Sequence, residues 1–275
     1  MTSERLSAAA IERHAARLSE RDCAIILDLV RVRVLTGSQL TRLHFHDLAP
    51  NSRDRVRRNV LSRLISIGFV AALERQIGGV RAGSQGLIYT LDAGGQRALP
   101  HIQAGQGIEP TRRARKPRTP GERFLLHTLD VSELYVQLTE AQRLGKLILA
   151  EYRAEYDAHF PNGAGGLLKP DAYAVLRRGD YEDSWWIEVD RGTEDVETTL
   201  RRKLLGYIDF ATAGGLGPDG VMPRVLLTLY RPKRLAERLA AVQDLLRRLP
   251  EPAERLVHTV LFSDATPLLV ETIRG

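Results

Sequence analysis

The spacing of apolar positions predicts three helices and a hairpin in the first hundred residues. Apolar residues recur every three or four positions from 19 to 34, which is the spacing of one buried helix face. A short helix is predicted after Thr36, and a third runs from residue 51 to Gly68. Two strand-like runs, 69–75 and 86–92, then flank a glycine-rich loop and predict a hairpin.

A different alternation begins at about residue 121, where apolar runs of strand length come between longer stretches with helical periodicity. The order helix, three strands, helix, strand, helix, strand indicates a mixed sheet covered by helices. The predicted helices cover 121–145, 194–214 and 232–249, and the predicted strands cover 146–156, 167–178, 184–191, 224–231 and 257–263.

Between the two patterns, residues 101–120 are rich in glycine, proline, lysine and arginine and lack apolar periodicity. Such a composition is typical of an exposed linker. The predicted organisation is an N-terminal domain at 1–100, a basic linker at 101–120 and a C-terminal domain at 121–275. The fold class expected for the whole chain is α+β or α/β.

The charge is divided unevenly between the halves. Residues 1–118 hold 20 Lys and Arg against 10 Asp and Glu, whereas residues 119–275 hold 20 against 24. A basic half is suited to a polyanion, because neutralised phosphates release counterions. The acidic half is suited to a cation. An arginine-rich genome composition would explain part of the arginine count but not its partition between the halves.

Several protein classes are excluded or disfavoured by the same sequence. Cys23 is the only cysteine, so the chain has no intramolecular disulfide and no zinc site built on paired cysteines. The longest apolar runs are far shorter than the roughly 20 residues of a membrane helix, and the N-terminus lacks an apolar signal core. We therefore expect a cytoplasmic protein with no membrane partner.

The third predicted helix carries a polar face that is suited to DNA. Projection at 100° per residue gathers its apolar residues on one side. With the hairpin that follows, the order of elements resembles winged helix-turn-helix DNA-binding domains, in which this helix enters the major groove. A winged helix used for protein contact is the alternative. The residues on the outward side are Arg55, Arg58, Asn59 and Ser62.

Two further groups of basic residues are candidates for phosphate contact. Arg75 and Arg81 lie near the predicted wing. In the linker, Arg112, Arg113, Arg115 and Lys116 are suited to follow a DNA backbone, although exposed basic runs are also common without such a role.

Acidic residues on two neighbouring predicted strands form a candidate metal site. Glu188 and Asp190 stand two positions apart in an apolar strand, so they point to the same face. Asp171, about 17 residues earlier, belongs to the preceding strand. Carboxylates on a rigid sheet can hold Mg²⁺ or Mn²⁺, which would activate water against a phosphodiester.

The order Pro-Asp, then Glu-x-Asp, resembles the PD-(D/E)XK restriction-endonuclease-like fold, a mixed sheet flanked by helices. The chain departs from this pattern where Asp190 takes the place of the motif lysine. The family tolerates migration of this lysine to the next helix, where Lys203 and Tyr207 share one face. On the helix before the strands, Glu133 is the acid expected to join the site.

Structural explanations remain open for the same residues. Arg191 or Lys203 could neutralise the acids without any metal, since two buried like charges need compensation. Thr193 could be only the N-cap of the next helix, with Glu194 complementing its dipole.

The two halves together resemble the replication-relaxation family. The resemblance rests on HTLDVSELYVQL (127–138), LKPDAYAVL (168–176) and WIEVDRGTEDVETTLRRKLLGYIDF (186–210) behind a winged helix. It implies an accessory protein of relaxases on plasmids and integrative elements, with double-stranded DNA and a relaxase or another mobile-element protein as partners. The residues implied as its site are Asp171, Glu188, Asp190, Arg191, Thr193, Glu194, Lys203 and Tyr207.

Three functions are therefore carried forward. The first is a non-cleaving DNA-binding accessory factor of a mobile element, which supports relaxase-dependent transfer or replication. The second is a metal-dependent nickase or endonuclease with Asp171, Glu188 and Asp190 as ligands and Lys203 in place of the motif lysine. The third is a winged-helix transcriptional regulator whose second domain only forms a homodimer.

Overall fold

A computed structural model describes residues 6–76, 86–107, 121–230 and 235–273, with the backbone alone at 74–76. The chain forms two compact units, Met1–Val136 and Gln137–Gly275. The division lies within a helix, whereas the sequence placed the domain boundary in the linker at 101–120. Most of that linker, 108–120, lies outside the described residues.

The first unit contains five helices, the start of a sixth, and three strands in its described part. Its helices are α1 (Ala8–Ala15), α2 (Glu20–Val32), α3 (Gly37–His44), α4 (Pro50–Ser66), α5 (Ala93–Gly105) and the first part of α6 (Glu122–Arg143). Its strands are β1 (Val34–Thr36), β2 (Val70–Gln76) and β3 (Leu87–Leu91), which form an antiparallel sheet of order β1-β3-β2.

Local capping sets the ends of these helices. Ser19 and Asp22 form a capping box at the start of α2, and Thr36 and Gln39 form another at the start of α3. Gly68 follows α4 with φ +67°, a left-handed conformation that glycine adopts without a steric penalty. The predicted helices and hairpin are therefore found, together with α1 and the three-residue β1, which the pattern did not reveal.

The first half of α6 belongs to the core of the first unit. Leu125 and Leu129 are buried in one apolar cluster with Val34 of β1 and Ile88 of β3. The hydroxyl of Ser132 lies 2.8 Å from the carbonyl oxygen of Val34, within hydrogen-bond distance. The sequence assigned the whole helix to the C-terminal domain, because periodicity identifies a helix but not the core against which it packs.

The second unit begins with the rest of α6 and contains the mixed sheet predicted for this half. Its order of larger elements follows the prediction, with short additions such as the β5–β6 hairpin and the last helix. The strands are β4 (Ile148–Ala154), β5 (Phe160–Pro161), β6 (Leu167–Leu168), β7 (Ala172–Arg178), β8 (Tyr181–Asp190), β9 (Arg224–Leu229) and β10 (Val257–Leu261). The helices are α7 (Arg201–Thr212), α8 (Leu235–Arg248), α9 (Ala253–Leu256) and α10 (Ala265–Thr272).

The topology of this sheet determines where its polar residues meet. The strand order is β10-β9-β8-β7-β4, with β4, β7 and β8 antiparallel and with β8, β9 and β10 parallel. Because β7 and β8 are antiparallel neighbours, the start of β7 lies beside the end of β8. On one face, Trp186 packs in a core cluster with Leu204, Tyr207 and Val242 of the helices. No helix in the described part of the chain is long and apolar enough to cross a membrane.

Candidate active site

A buried carboxylate near the end of β8 is the centre of the candidate site. Glu188 is almost completely buried, and its two oxygens accept hydrogen bonds from different residues of α7. Lys203 Nζ lies 3.0 Å from Oε2, and the Tyr207 hydroxyl lies 2.6 Å from Oε1. Lys203 and Tyr207 are one helical turn apart, so α7 presents both donors on one face.

Asp171 lies beside Glu188, immediately before β7. Its backbone N–H donates to the Ile187 carbonyl at 2.9 Å, and its Oδ2 accepts from the Val189 N–H at 2.8 Å. These two bonds place Asp171 opposite the segment of β8 that carries Glu188. The structure therefore brings together Asp171, Glu188, Lys203 and Tyr207 from the predicted site.

The electrostatics of this group are those of two neighbouring acids with one ammonium group between α7 and β8. Burial and, next, the negative charge of Asp171 raise the pKa of Glu188 to about 7, although Lys203 and Tyr207 oppose the shift. Burial opposes protonation of Lys203, but the charges of Glu188, Asp171 and Glu194 outweigh it and raise the pKa of Lys203. Lys203 is thus a fixed ammonium group. Burial and the charge of Glu188 raise the pKa of Tyr207, which remains a hydrogen-bond donor.

Asp190 is engaged by an arginine that the sequence did not single out. Arg238 Nε donates to Asp190 Oδ2 at 2.8 Å, and Asp190 Oδ1 accepts from the Gly192 N–H at 2.8 Å. Among the described residues, no group of three His, Cys, Asp or Glu side chains could hold a metal ion. The described residues therefore do not form the expected three-carboxylate ligand set, and Asp171 and Glu188 are the two acids that lie together.

Two carboxylates are nevertheless compatible with Mg²⁺, which proteins often bind through one or two carboxylates together with substrate phosphates. Oxygen donors are also the ligand type that Mg²⁺ and Mn²⁺ favour. The raised pKa of Glu188 beside Asp171 means that a nearby cation would relieve the repulsion between the two acids. Asp171 and Glu188 therefore fit such an ion.

The remaining predicted site residues have different surroundings. Glu133 lies in the first unit, where its carboxylate oxygens are 2.6 Å from Arg42 Nη1 and 3.1 Å from Gln39 Nε2. The Arg191 guanidinium lies over the Tyr230 ring, 4.8 Å from its centroid. Glu194 is part of the site, because its Oε1 lies 3.2 Å from Lys203 Nζ.

Thr193 is not the N-cap of the following helix. It is exposed, and Asp195 instead accepts a hydrogen bond from the Thr198 backbone N–H at 2.8 Å. The first helical turn, Val196–Leu200, has π-helical hydrogen bonding and continues into α7. The cap is two residues later than expected, which leaves Glu194 in the loop before the helix.

The polar face of α4 is exposed, as the helical projection predicts for Arg55, Arg58, Asn59 and Ser62. Arg57, between them, is buried, and its guanidinium lies 3.3 Å from Asp54. The other predicted DNA contacts lie outside the described residues, namely Arg81, Arg112, Arg113, Arg115, Lys116 and the side chain of Arg75.

Arg238 is the main site residue that sequence reasoning missed. It lies in α8, 48 positions after Asp190, and no periodicity distinguishes it from the other arginines of that helix. One feature of the sequence did indicate that such a residue exists. A carboxylate in an apolar strand requires a partner when it is buried, so a basic residue on a covering helix was implied although its identity was not.

The second unit thus has the fold of a mixed α+β domain with a carboxylate–lysine site between α7 and the central strand β8 of its sheet. The chain belongs to the replication-relaxation family, whose model matches residues 27–225. Membership indicates a role in replication or in relaxase-related functions of mobile elements. No curated protein and no solved structure matches the chain significantly.

Proposed function

We propose that the protein binds double-stranded DNA of a mobile element through α4 and cleaves one of its phosphodiester bonds at the Asp171–Glu188–Lys203 site. One observation carries the cleavage proposal. Lys203 Nζ lies 3.0 Å from Glu188 although the motif position for lysine holds Asp190. An acid pair and a fixed ammonium group are therefore present together despite the departure in sequence.

The first unit supports the DNA-binding part of the proposal. Its order β1, α3, α4, β2, β3 and its sheet order β1-β3-β2 resemble those of a winged helix-turn-helix domain, in which α4 would be the recognition helix. The outward face of α4 offers arginine, asparagine and serine donors to base edges and phosphates. The excess of basic residues in 1–118 adds attraction that is independent of DNA sequence.

The second unit supports the cleavage part. An opening helix, three antiparallel strands, a helix and a parallel strand resemble the order of a PD-(D/E)XK domain. In that fold the Pro-Asp and acid-x-Lys motifs lie on adjacent strands between two helices. Asp171 and Glu188, beside each other at β7 and β8, are consistent with such motifs.

Each side chain has a distinct chemical task in this proposal. Asp171 and Glu188 would hold Mg²⁺ or Mn²⁺, which supplies an activated water and stabilises negative charge on the phosphate. Tyr207 keeps Glu188 oriented through its 2.6 Å hydrogen bond. Lys203 would place its ammonium group near the attacked phosphate, where it offsets the charge that develops during displacement.

Nicking of supercoiled DNA in Mg²⁺ or Mn²⁺ tests this function. Glu188→Gln and Lys203→Met should each lower the rate at least about 100-fold, because each removes a charged group from the reacting centre. Glu182→Gln is the matched control, since Glu182 lies on the same strand, exposed and paired with Arg177. Wild-type protein that binds DNA without nicking it under either metal would contradict cleavage.

A non-cleaving accessory factor is the second candidate function. It is favoured by the contacts of Lys203, which lies within 3.2 Å of both Glu188 and Glu194 and already offsets their charge. In this case Lys203 would be a structural counterion. Glu188→Gln would then leave DNA binding unchanged, and no nicking would be seen with any variant.

A further inference from the structure

Arg238 connects the end of β8 with the loop that follows it. Its Nε donates to Asp190 Oδ2 at 2.8 Å, and its Nη1 donates to the carbonyl oxygen of Glu194 at 2.6 Å. The side chains are 13% exposed for Arg238 and 2% exposed for Asp190. One buried guanidinium therefore holds both ends of the segment 190–194.

This connection determines where the Glu194 side chain lies. With the Glu194 backbone held by Arg238, its Oε1 is 3.2 Å from Lys203 Nζ. On its other side, Lys203 contacts Glu188 Oε2 at 3.0 Å. The ammonium group is thus held by carboxylates from two separate elements, β8 and the loop.

We propose that Asp190 and Arg238 form a positioning pair, which fixes Glu194 so that Glu194 in turn fixes Lys203 beside Glu188. The catalytic use of this arrangement rests on the proposed cleavage function. A lysine at position 190 would be positioned by the strand that carries it. Lys203 reaches the site from a neighbouring helix, so its position requires additional contacts. Asp190, at the motif position, helps to provide them through Arg238 and Glu194.

The shape of the guanidinium group explains why position 238 holds an arginine. A guanidinium group presents several donors in a rigid planar fork, so one side chain can bind a carboxylate and a carbonyl at fixed angles. Lys203 has a long flexible stem, and its side chain is 30% exposed. Restricting such a stem lowers its rotamer entropy, and a second carboxylate contact offsets this cost. Glu194 supplies that contact only while its backbone is held.

Amine labelling tests the positioning directly, without reference to activity. The chain has five lysines, so peptide mass spectrometry can follow each separately. The variant is Asp190→Asn with Arg238→Met, because Arg238→Met alone would leave the buried charge of Asp190 without a cationic partner. Acetylation of Lys203 by acetic anhydride should become at least about 3-fold faster in this variant, since Lys203 is no longer held.

Two comparisons show whether the effect is local and whether it acts through Glu194. Lys146 and Lys169 are exposed and should label at their wild-type rates, which shows that the effect is local, while an unchanged melting temperature shows that the second unit remains folded. Glu194→Gln should accelerate Lys203 labelling to a similar extent, and adding the positioning-pair variant should accelerate it no further. Unchanged Lys203 labelling in a folded variant would overturn the proposal.

A double-mutant cycle on nicking tests the catalytic consequence. In the wild-type background, the positioning-pair variant should lower kcat about 10-fold and leave KM for DNA unchanged. In the Glu194→Gln background, the same change should lower kcat less than about 2-fold, because both act through Lys203. Equal losses in the two backgrounds would indicate a merely structural role. Absence of wild-type nicking would overturn the cleavage function, and the labelling result would still decide the positioning.

Discussion

The two acids of β8 illustrate how buried charge is accommodated residue by residue. Glu188 accepts hydrogen bonds from the ammonium group of Lys203 and the phenol of Tyr207. Asp190 accepts them from the guanidinium group of Arg238 and the backbone N–H of Gly192. Removal of a carboxylate from water costs several kcal/mol unless such partners replace the lost hydration. Even with these partners, the pKa of Glu188 is raised to about 7.

We expect this raised pKa to make stability depend on pH. Between its ordinary pKa of 4.5 and the folded value of about 7, Glu188 keeps a proton that the unfolded chain has released. Its contribution to stability is therefore complete below pH 4.5 and is lost as the pH rises through 7. Without metal, the melting temperature of Glu188→Gln should rise relative to wild type by about 5 °C between pH 5 and pH 8.

Thermal unfolding in EDTA measures this difference, and Glu182→Gln should follow the wild-type curve because its carboxylate is exposed. Parallel curves for wild type and Glu188→Gln would contradict the raised pKa. Saturating Mn²⁺ should reduce the difference at pH 8, since a cation stabilises the ionised carboxylate.

Among the helices, α4 combines an apolar face with an arginine-rich face, and only the second is available to a partner. Arg55→Ala together with Arg58→Ala should weaken DNA binding and reduce the slope of log K against log salt by about 2, since each phosphate contact contributes about 0.9. Fluorescence anisotropy across a salt series measures this slope. Arg247→Ala with Arg255→Ala removes the same charge from exposed sites in the second unit.

The control should leave the slope unchanged. A slope that falls equally in both double variants would show that net charge alone, rather than the face of α4, governs binding. An unchanged slope in the α4 variant would exclude this helix as the docking element.

How well each element could be predicted depended on whether its signal was local. The capping residues Ser19 and Thr36 determine the starts of α2 and α3 within four positions, so the sequence was sufficient. The strand β1 has three residues, too few for any period to appear. The partners of Arg238 and Glu133 could not be predicted, because they are determined by packing between segments that are distant in the sequence. The helical period predicts that Lys203 and Tyr207 share one face of α7, whereas the choice of Asp171, Glu188 and Lys203 came from the resemblance to the nuclease motif. The strand period alone does not separate Glu188 from Asp190, since both point to the same face.

At the scale of the whole chain, α6 shows that one helix can contribute to two folding units. The helix starts beyond the predicted linker, yet its first half supplies Leu125 and Leu129 to the core of the first unit. Its Tyr135 hydroxyl donates to the buried Asp28 at 2.6 Å. Residues 121–136 are therefore part of the unit that carries the proposed DNA-binding helix.

Leu129→Ala should consequently destabilise the first unit by about 2–4 kcal/mol, because it leaves a cavity in that core. Hydrogen–deuterium exchange should accelerate in peptides of α2 and β3. Leu144→Ala, also beyond the predicted linker, is the control, since Leu144 is 69% exposed. Unchanged exchange in α2 and β3 would contradict the assignment of this helix to the first unit.

The turn between β7 and β8 is a suitable place to insert a label. Arg178 pairs with Tyr181, and the two residues between them, Gly179 and Asp180, are exposed. The strands run from this turn to the acids, which are seven residues and about 24 Å away at 3.4 Å per residue. A fluorophore attached here would therefore report on the second unit, and a short affinity peptide inserted here would immobilise it. Neither would disturb the carboxylates of the site.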